Sequence, residues 1–192
     1  CSVLSHNMGV APEMMIVKAR GVAENWEVFH SGVGNAKTTR LNSTAASGNG
    51  TVWNNTSPTS SVFTVGGNSG DLGSVNYTGY GYIAYLFASQ PGVSKVGGYA
   101  GNGTNQAINA GFTSSARFVL IKRTDSTGDW FVWDSARGII AGNDPHISLN
   151  TTIAEVAADD SIDPDASGFI GNQDAATNIN VNGASYIYLA FQ

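Results

Sequence analysis

Asp159-Asp160-Ser161-Ile162-Asp163-Pro164-Asp165 is the densest group of potential ligands in the sequence, with four carboxylates in seven residues. Oxygen donors of this type suit a hard cation such as calcium, which makes Asp159, Asp160, Asp163 and Asp165 the candidate metal ligands. The spacing is not that of an EF-hand, and the closing Glu is missing. A structural calcium ion stiffening a loop is therefore the one cofactor these residues suggest; the plainer reading is a solvated acidic turn. The histidines His6, His30 and His146 lie far apart and share no repeated partner, so they read as hydrogen-bonded polar groups at strand ends. Cys1 is the single cysteine, which excludes an intrachain disulfide and a cysteine-based metal site. As an N-terminal nucleophile Cys1 would need helices flanking a sheet, and no helical pattern is present. Gly32-Val33-Gly34-Asn35-Ala36-Lys37-Thr38-Thr39 has a faint likeness to a phosphate loop. Ala36 and Ser31 stand where that loop needs glycine, so a polar turn into a strand is expected instead.

Four tryptophans raise the question of sugar stacking. Trp53 sits in a polar loop beside Asn54 and Asn55, and these three are the candidate carbohydrate contacts: a ring for the pyranose face and amides for its hydroxyls. Trp26, Trp130 and Trp133 read as packing residues, because the first two recur at one position of a repeat described below and the third replaces Phe29. Several Asn-x-Ser/Thr triplets occur, including those at Asn42, Asn49, Asn54, Asn76, Asn102 and Asn150, as chance allows in so polar a chain.

Charged residues make up only 12% of the 192 residues, against roughly 25% in an average domain. Ser, Thr and Asn together supply 53 residues and Gly another 24. A hydrophobic fraction of 42% is enough for a packed core, so this is neither a disordered chain nor a helical bundle. The net charge is -5, and no basic run exceeds Lys122-Arg123, which argues against a nucleic-acid partner. No apolar run approaches the ~18 residues of a membrane span.

The sequence repeats itself. Glu13-Met14-Met15-Ile16-Val17-Lys18 aligns with Arg117-Phe118-Val119-Leu120-Ile121-Lys122, and 122 − 18 = 104. Trp26 to Ser31 aligns with Trp130 to Ser135, and Tyr82 to Phe87 with Tyr186 to Phe191, both again at 104. Between these blocks the offset moves to 108 at Leu41-Asn42 against Leu149-Asn150, then to 106 at Pro58 to Phe63 against Pro164 to Phe169. Length changes confined to the middle and absent at the ends are what two copies of one domain show.

Short apolar runs at Met14 to Lys18, Phe118 to Lys122, Tyr82 to Phe87 and Tyr186 to Phe191 predict buried strands. Trp26 to His30 and Trp130 to Asp134 predict their hairpin partners, across turns at Gly21 to Asn25 and Asp125 to Asp129. Val96 to Thr104 predicts a strand and an Asn-Gly turn. The Ala-rich stretch Ile153 to Ala158 is the best candidate for a helical turn. The fold expected is all-β: two tandem homologous β-sandwich-like domains with long polar loops, spanning 1–91 and 92–192. The first copy is expected to lack a counterpart of Val93 to Ala107, as if truncated at its N-terminus.

The strings Ala11 to Lys18, Pro58 to Phe63, Tyr82 to Phe87, Pro91 to Gly97, Arg117 to Thr124 and Gly128 to Asp134 resemble a domain of unknown function. That domain recurs near the C-terminus of large tail-fibre and appendage proteins of marine bacteriophages and cyanophages. The resemblance covers essentially the whole chain and carries no catalytic motif and no binding residues. It implies a non-enzymatic structural virion protein: a module of a tail fibre or other external appendage, exposed outside the cell and involved in host-surface attachment. The partners it implies are further copies of the chain, three being common in such fibres, together with other virion proteins and host surface glycans, with no nucleic acid and no membrane. The alternatives are a carbohydrate-binding, lectin-like module and a cellular surface adhesin or filament subunit. A polysaccharide-degrading enzyme would need two carboxylates at a defined separation, and no such pair stands out.

Overall fold

The computed structural model describes residues 1–66 and 72–192. It is all-β, arranged in several sheets, with a single four-residue helical segment among the described residues. No described helix is long and apolar enough to cross a membrane. The chain divides into two compact units, Cys1–Ala88 and Ser89–Gln192.

The first unit contains β1 (Ser2–Ser5), β2 (Met14–Arg20), β3 (Trp26–His30), β4 (Lys37–Arg40), β5 (Gly48–Asn49), β6 (Val62–Val65), α1 (Leu72–Val75) and β7 (Gly81–Phe87). Five strands pair in the order β5-β4-β3-β2-β7, and β1 pairs with β6. Register places Met15 opposite both Phe29 and Leu86. Because side chains alternate along a strand, Met15, Val17 and Phe29 share one face. There they meet Phe63 and Val65 of β6, Val52 and Trp53 of a loop, and the flanks of Tyr82 and Leu86. Each large apolar side chain buried this way contributes roughly 1.5–3 kcal/mol.

The second unit contains β8 (Ser94–Ala100), β9 (Gln106–Asn109), β10 (Phe118–Arg123), β11 (Trp130–Asp134), β12 (Ile147–Ser148), β13 (Ile162–Asp165), β14 (Gly168–Gly171) and β15 (Ser185–Phe191). One sheet runs β12-β11-β10-β15-β8 and the other β13-β14-β9. Val119, Ile121, Phe131, Trp133, Tyr186 and Tyr188 of the larger sheet pack with Ile108, Ile162 and Phe169 of the smaller one. Trp130 is buried too, but on the other face of its strand.

The order β4-β3-β2-β7 matches β12-β11-β10-β15, the order that the constant offset of 104 predicts. Leu4 faces Phe63 as Ile108 faces Phe169, so β1 is the counterpart of β9, again 104 residues apart. Ala107 therefore has a counterpart in Val3, although it lies in the segment expected to have none. Among the described residues β7 pairs with β2 alone, whereas β15 lies between β10 and β8.

The same side-chain-to-backbone bonds close the loops of both units. Asn42 accepts from the Trp26 N–H at 3.0 Å and Asn150 from the Trp130 N–H at 2.7 Å. The Tyr82 hydroxyl accepts from the Tyr77 N–H at 2.8 Å and the Tyr186 hydroxyl from the Val181 N–H at 3.0 Å. After β3 the His30 ring accepts from the Gly32 N–H at 3.0 Å; after β11 the Asp134 carboxylate accepts from the Ala136 N–H at 3.0 Å. Histidine and aspartate are interchangeable here because the turn needs an acceptor, not a charge.

Ile153 to Ala158 is not helical. Val156 exchanges two backbone hydrogen bonds with His146, both at 3.0 Å, and that bridge uses the groups a helical turn would need.

Replacing Asn150 with Ala removes the acceptor of a strand-end N–H and the donor of its link to Asp129. The expected cost is about 1–3 kcal/mol. Urea unfolding checks it, with exposed Asn105→Ala as the variant whose midpoint stays unchanged.

Candidate functional site

The structure separates the four aspartates of the acidic stretch. Asp165 turns back on its own hairpin, accepting from the Ser167 N–H at 2.8 Å and its hydroxyl at 2.6 Å. Asp159 is buried against His146, whose Nδ1 lies 3.1 Å from its carboxylate, and also accepts from the Ser161 hydroxyl. Asp160 and Asp163 converge. The third carboxylate beside them is Asp144, from the loop between β11 and β12, and one oxygen from each of the three lies within 4.8 Å of the others. The chain is brought there by the Asp144 N–H, which bonds to the Asp159 carbonyl at 2.7 Å.

Asp144 is fully buried. Its two oxygens accept from the Ile140 N–H at 3.1 Å and the Ile162 N–H at 3.2 Å. Burial pushes its carboxyl up to about 7, the two backbone donors oppose that rise, and the neighbouring Asp163 and Asp160 add to it. Asp163 also accepts from the Gly142 N–H at 3.3 Å. Asn172, directly after β14, points its amide at the same place: its Nδ2 is 2.7 Å from Asp160 and 3.1 Å from Asp163. Its Oδ1 is buried with no hydrogen-bond partner among the described residues. The first unit places Asn54 next to Gly66 at the equivalent position, without carboxylates.

The expected carbohydrate contact takes a different form. Trp53 is fully buried, edge-on to Phe29 with ring centroids 5.8 Å apart. Neither face of the ring is available to a sugar, which corrects its reading as a surface platform. The physical reason is the turn that follows: Asn54 and Asn55 adopt left-handed φ values of 52° and 49° and the chain reverses around the tryptophan. Asn54 and Asn55 themselves are exposed.

The first unit also has an apolar pocket of roughly 250 Å³ lined by Leu4, Val17, Phe63, Val65, Tyr82 and Ala84, among others. In the second unit Tyr188 stands where Ala84 does, packed on Tyr99 and Phe169. Gly97 of β8 lies under that ring, where any Cβ would collide with it.

The remaining candidates carry no chemistry together. The His6 Nε2 lies 3.1 Å from the Thr59 carbonyl. Cys1 is exposed and free. The glycine-rich turn before β4 uses the Gly32, Val33 and Gly34 N–H groups on His30, so it offers no phosphate cradle. Lys122 is buried, and its ammonium donates to the Arg123 carbonyl at 2.8 Å. Lys18 makes the equivalent bond to the Ala19 carbonyl at 2.6 Å.

Two predictions follow from burial. Trp53→Ala is expected to cost roughly 3–5 kcal/mol of stability, as for a core aromatic; a surface sugar contact would leave the urea midpoint unmoved. Burial lowers the Lys122 ammonium to about 8 from about 10.5, with Asp129 opposing the shift. Between those two values the unfolded chain retains a proton that the folded chain has released, so this group makes stability rise with pH across the window. Lys122→Met should remove that rise, read as the difference between urea midpoints at about pH 8 and about pH 10.

No curated protein and no solved structure matches the chain. A family of proteins does match, defined by a domain of unknown function, DUF7483, and the match runs over residues 1–192. By that full-length match the chain belongs to the DUF7483 family.

Proposed function

We propose that this chain is a structural module of a phage tail fibre or other external appendage, displayed on the virion surface and involved in attachment to the host. We read its two units as tandem homologous β-sandwiches. Support comes from the resemblance of Ala11 to Lys18 and Arg117 to Thr124 to appendage proteins, and from a polar, charge-poor composition rich in Ser, Thr, Asn and Gly.

The observation that carries the reading is the pair of matched sheets: β4-β3-β2-β7 and β12-β11-β10-β15 share one strand order. Like units within one chain suit a structural module displayed in several copies. The partners proposed are further copies of this chain, three by analogy with fibres, together with other virion proteins and glycans of the host surface. A carbohydrate-binding role in this loop would rest on Asn54 and Asn55 without Trp53.

Immunogold electron microscopy of virions, with antibody raised against this chain, tests the proposal. Label on fibres or the tail tip is the expected result. Label over the capsid would replace the appendage with a decoration role. Label on a cell surface and on no virion would overturn the proposal in favour of an adhesin or filament subunit.

A further inference from the structure

We propose that Asp144, Asp160 and Asp163, with the side-chain oxygen of Asn172, bind one hard divalent cation of the calcium type in the second unit. The three carboxylates come from different places in the chain yet offer oxygens within 4.8 Å of one another. No lysine, arginine or histidine ion pair among the described residues involves any of them. Like charges at this distance repel, and more strongly when one of them is fully buried, as Asp144 is. A dication between them reverses the sign of that interaction.

Asn172 is the independent observation. Its side chain is 4% exposed and its Oδ1 has no partner, although its amide is held against Asp160 and Asp163. Amide oxygen and nitrogen differ by a half-turn of the side chain. Turned over as the ion enters, the amide gives up its Nδ2 bonds to Asp160 and Asp163, which then face the cation, and the Oδ1 becomes a fourth oxygen donor. Four protein oxygens, with water completing the shell, fit calcium, which takes six to eight oxygens in flexible geometry.

The site differs from the one the acidic stretch suggested. Asp159 and Asp165 are held by His146 and by Ser167, and Asp144 and Asn172 take their places. The ion would tie the β11–β12 loop to the ends of β13 and β14. The first unit has Asn54 and Ser57 at the places of Asp160 and Asp163, so one ion per chain is expected.

The test is calorimetric titration of the chelator-stripped chain with calcium chloride, alongside thermal melting with and without calcium. The expected result is one site per chain, with a dissociation constant at or below about 1 mM, and a raised melting midpoint. Asp160→Asn, on an exposed side chain, should weaken binding at least tenfold while leaving the calcium-free melting midpoint at or above that of the parent. Asn172→Ala should weaken binding as well, and Asp165→Asn should leave it unchanged. Absence of saturable binding up to about 10 mM calcium would overturn the proposal. So would equal loss in Asp165→Asn, or unaltered binding in Asp160→Asn.

Discussion

The fold depends on satisfying the backbone where strands stop. A buried or half-buried N–H without an acceptor costs about as much as a lost hydrogen bond. This chain has short strands and long loops, so it meets that demand many times with little secondary structure to help. Asn42 and Asn150, Tyr82 and Tyr186, and His30 and Asp134 each present one acceptor to one N–H at the same point of the two units. The apolar cores supply most of the driving force. These bonds select which loop conformations are compatible with those cores, and they explain why Asn and Tyr persist at matched positions while the loops between them change length.

The two units differ in what their matched strands carry. Tyr188 fills space that Ala84 leaves open, and Gly97 makes room for the larger ring. The loop before β13 gathers carboxylates around Asp144, while its counterpart before β6 is uncharged and buries Trp53. Matched strand orders thus carry different side chains: an apolar pocket in the first unit and converging carboxylates in the second.

Much of this was legible in the residues. The offset of 104 predicted matched strand neighbours, and the shift to 108 at Asn42 and Asn150 located a real structural equivalence, since both amides hold a tryptophan N–H. What was not legible depended on tertiary geometry. Trp53 lies in a run of polar residues, and only the left-handed turn after it shows that the ring points inward. Asp144 stands 15 residues before Asp159, and nothing in the local pattern says that their backbones pair. Ile153 to Ala158 has helical composition, but the bridge between Val156 and His146 overrides it, as tertiary context commonly overrides propensity. Asn172 has no local signal at all, because its importance lies in an oxygen that finds no partner.

The position of β15 has a consequence for how the second unit is made. This strand pairs with β10 on one side and β8 on the other, and Phe191 faces Ser94 across 97 residues of chain. Closing so long a loop carries an entropy cost before any contact repays it, and folding rates fall as such contacts come to dominate. The β10–β11 hairpin, with its short turn, can form as soon as it leaves the ribosome. The β15–β8 end of the larger sheet cannot, because β8 has no neighbour in that sheet until β15 arrives. During synthesis β8 therefore waits as an unsatisfied strand for nearly the whole length of its unit, and its Gly97-Gly98 pair, a poor β-former, lowers the risk that it finds the wrong neighbour in that interval.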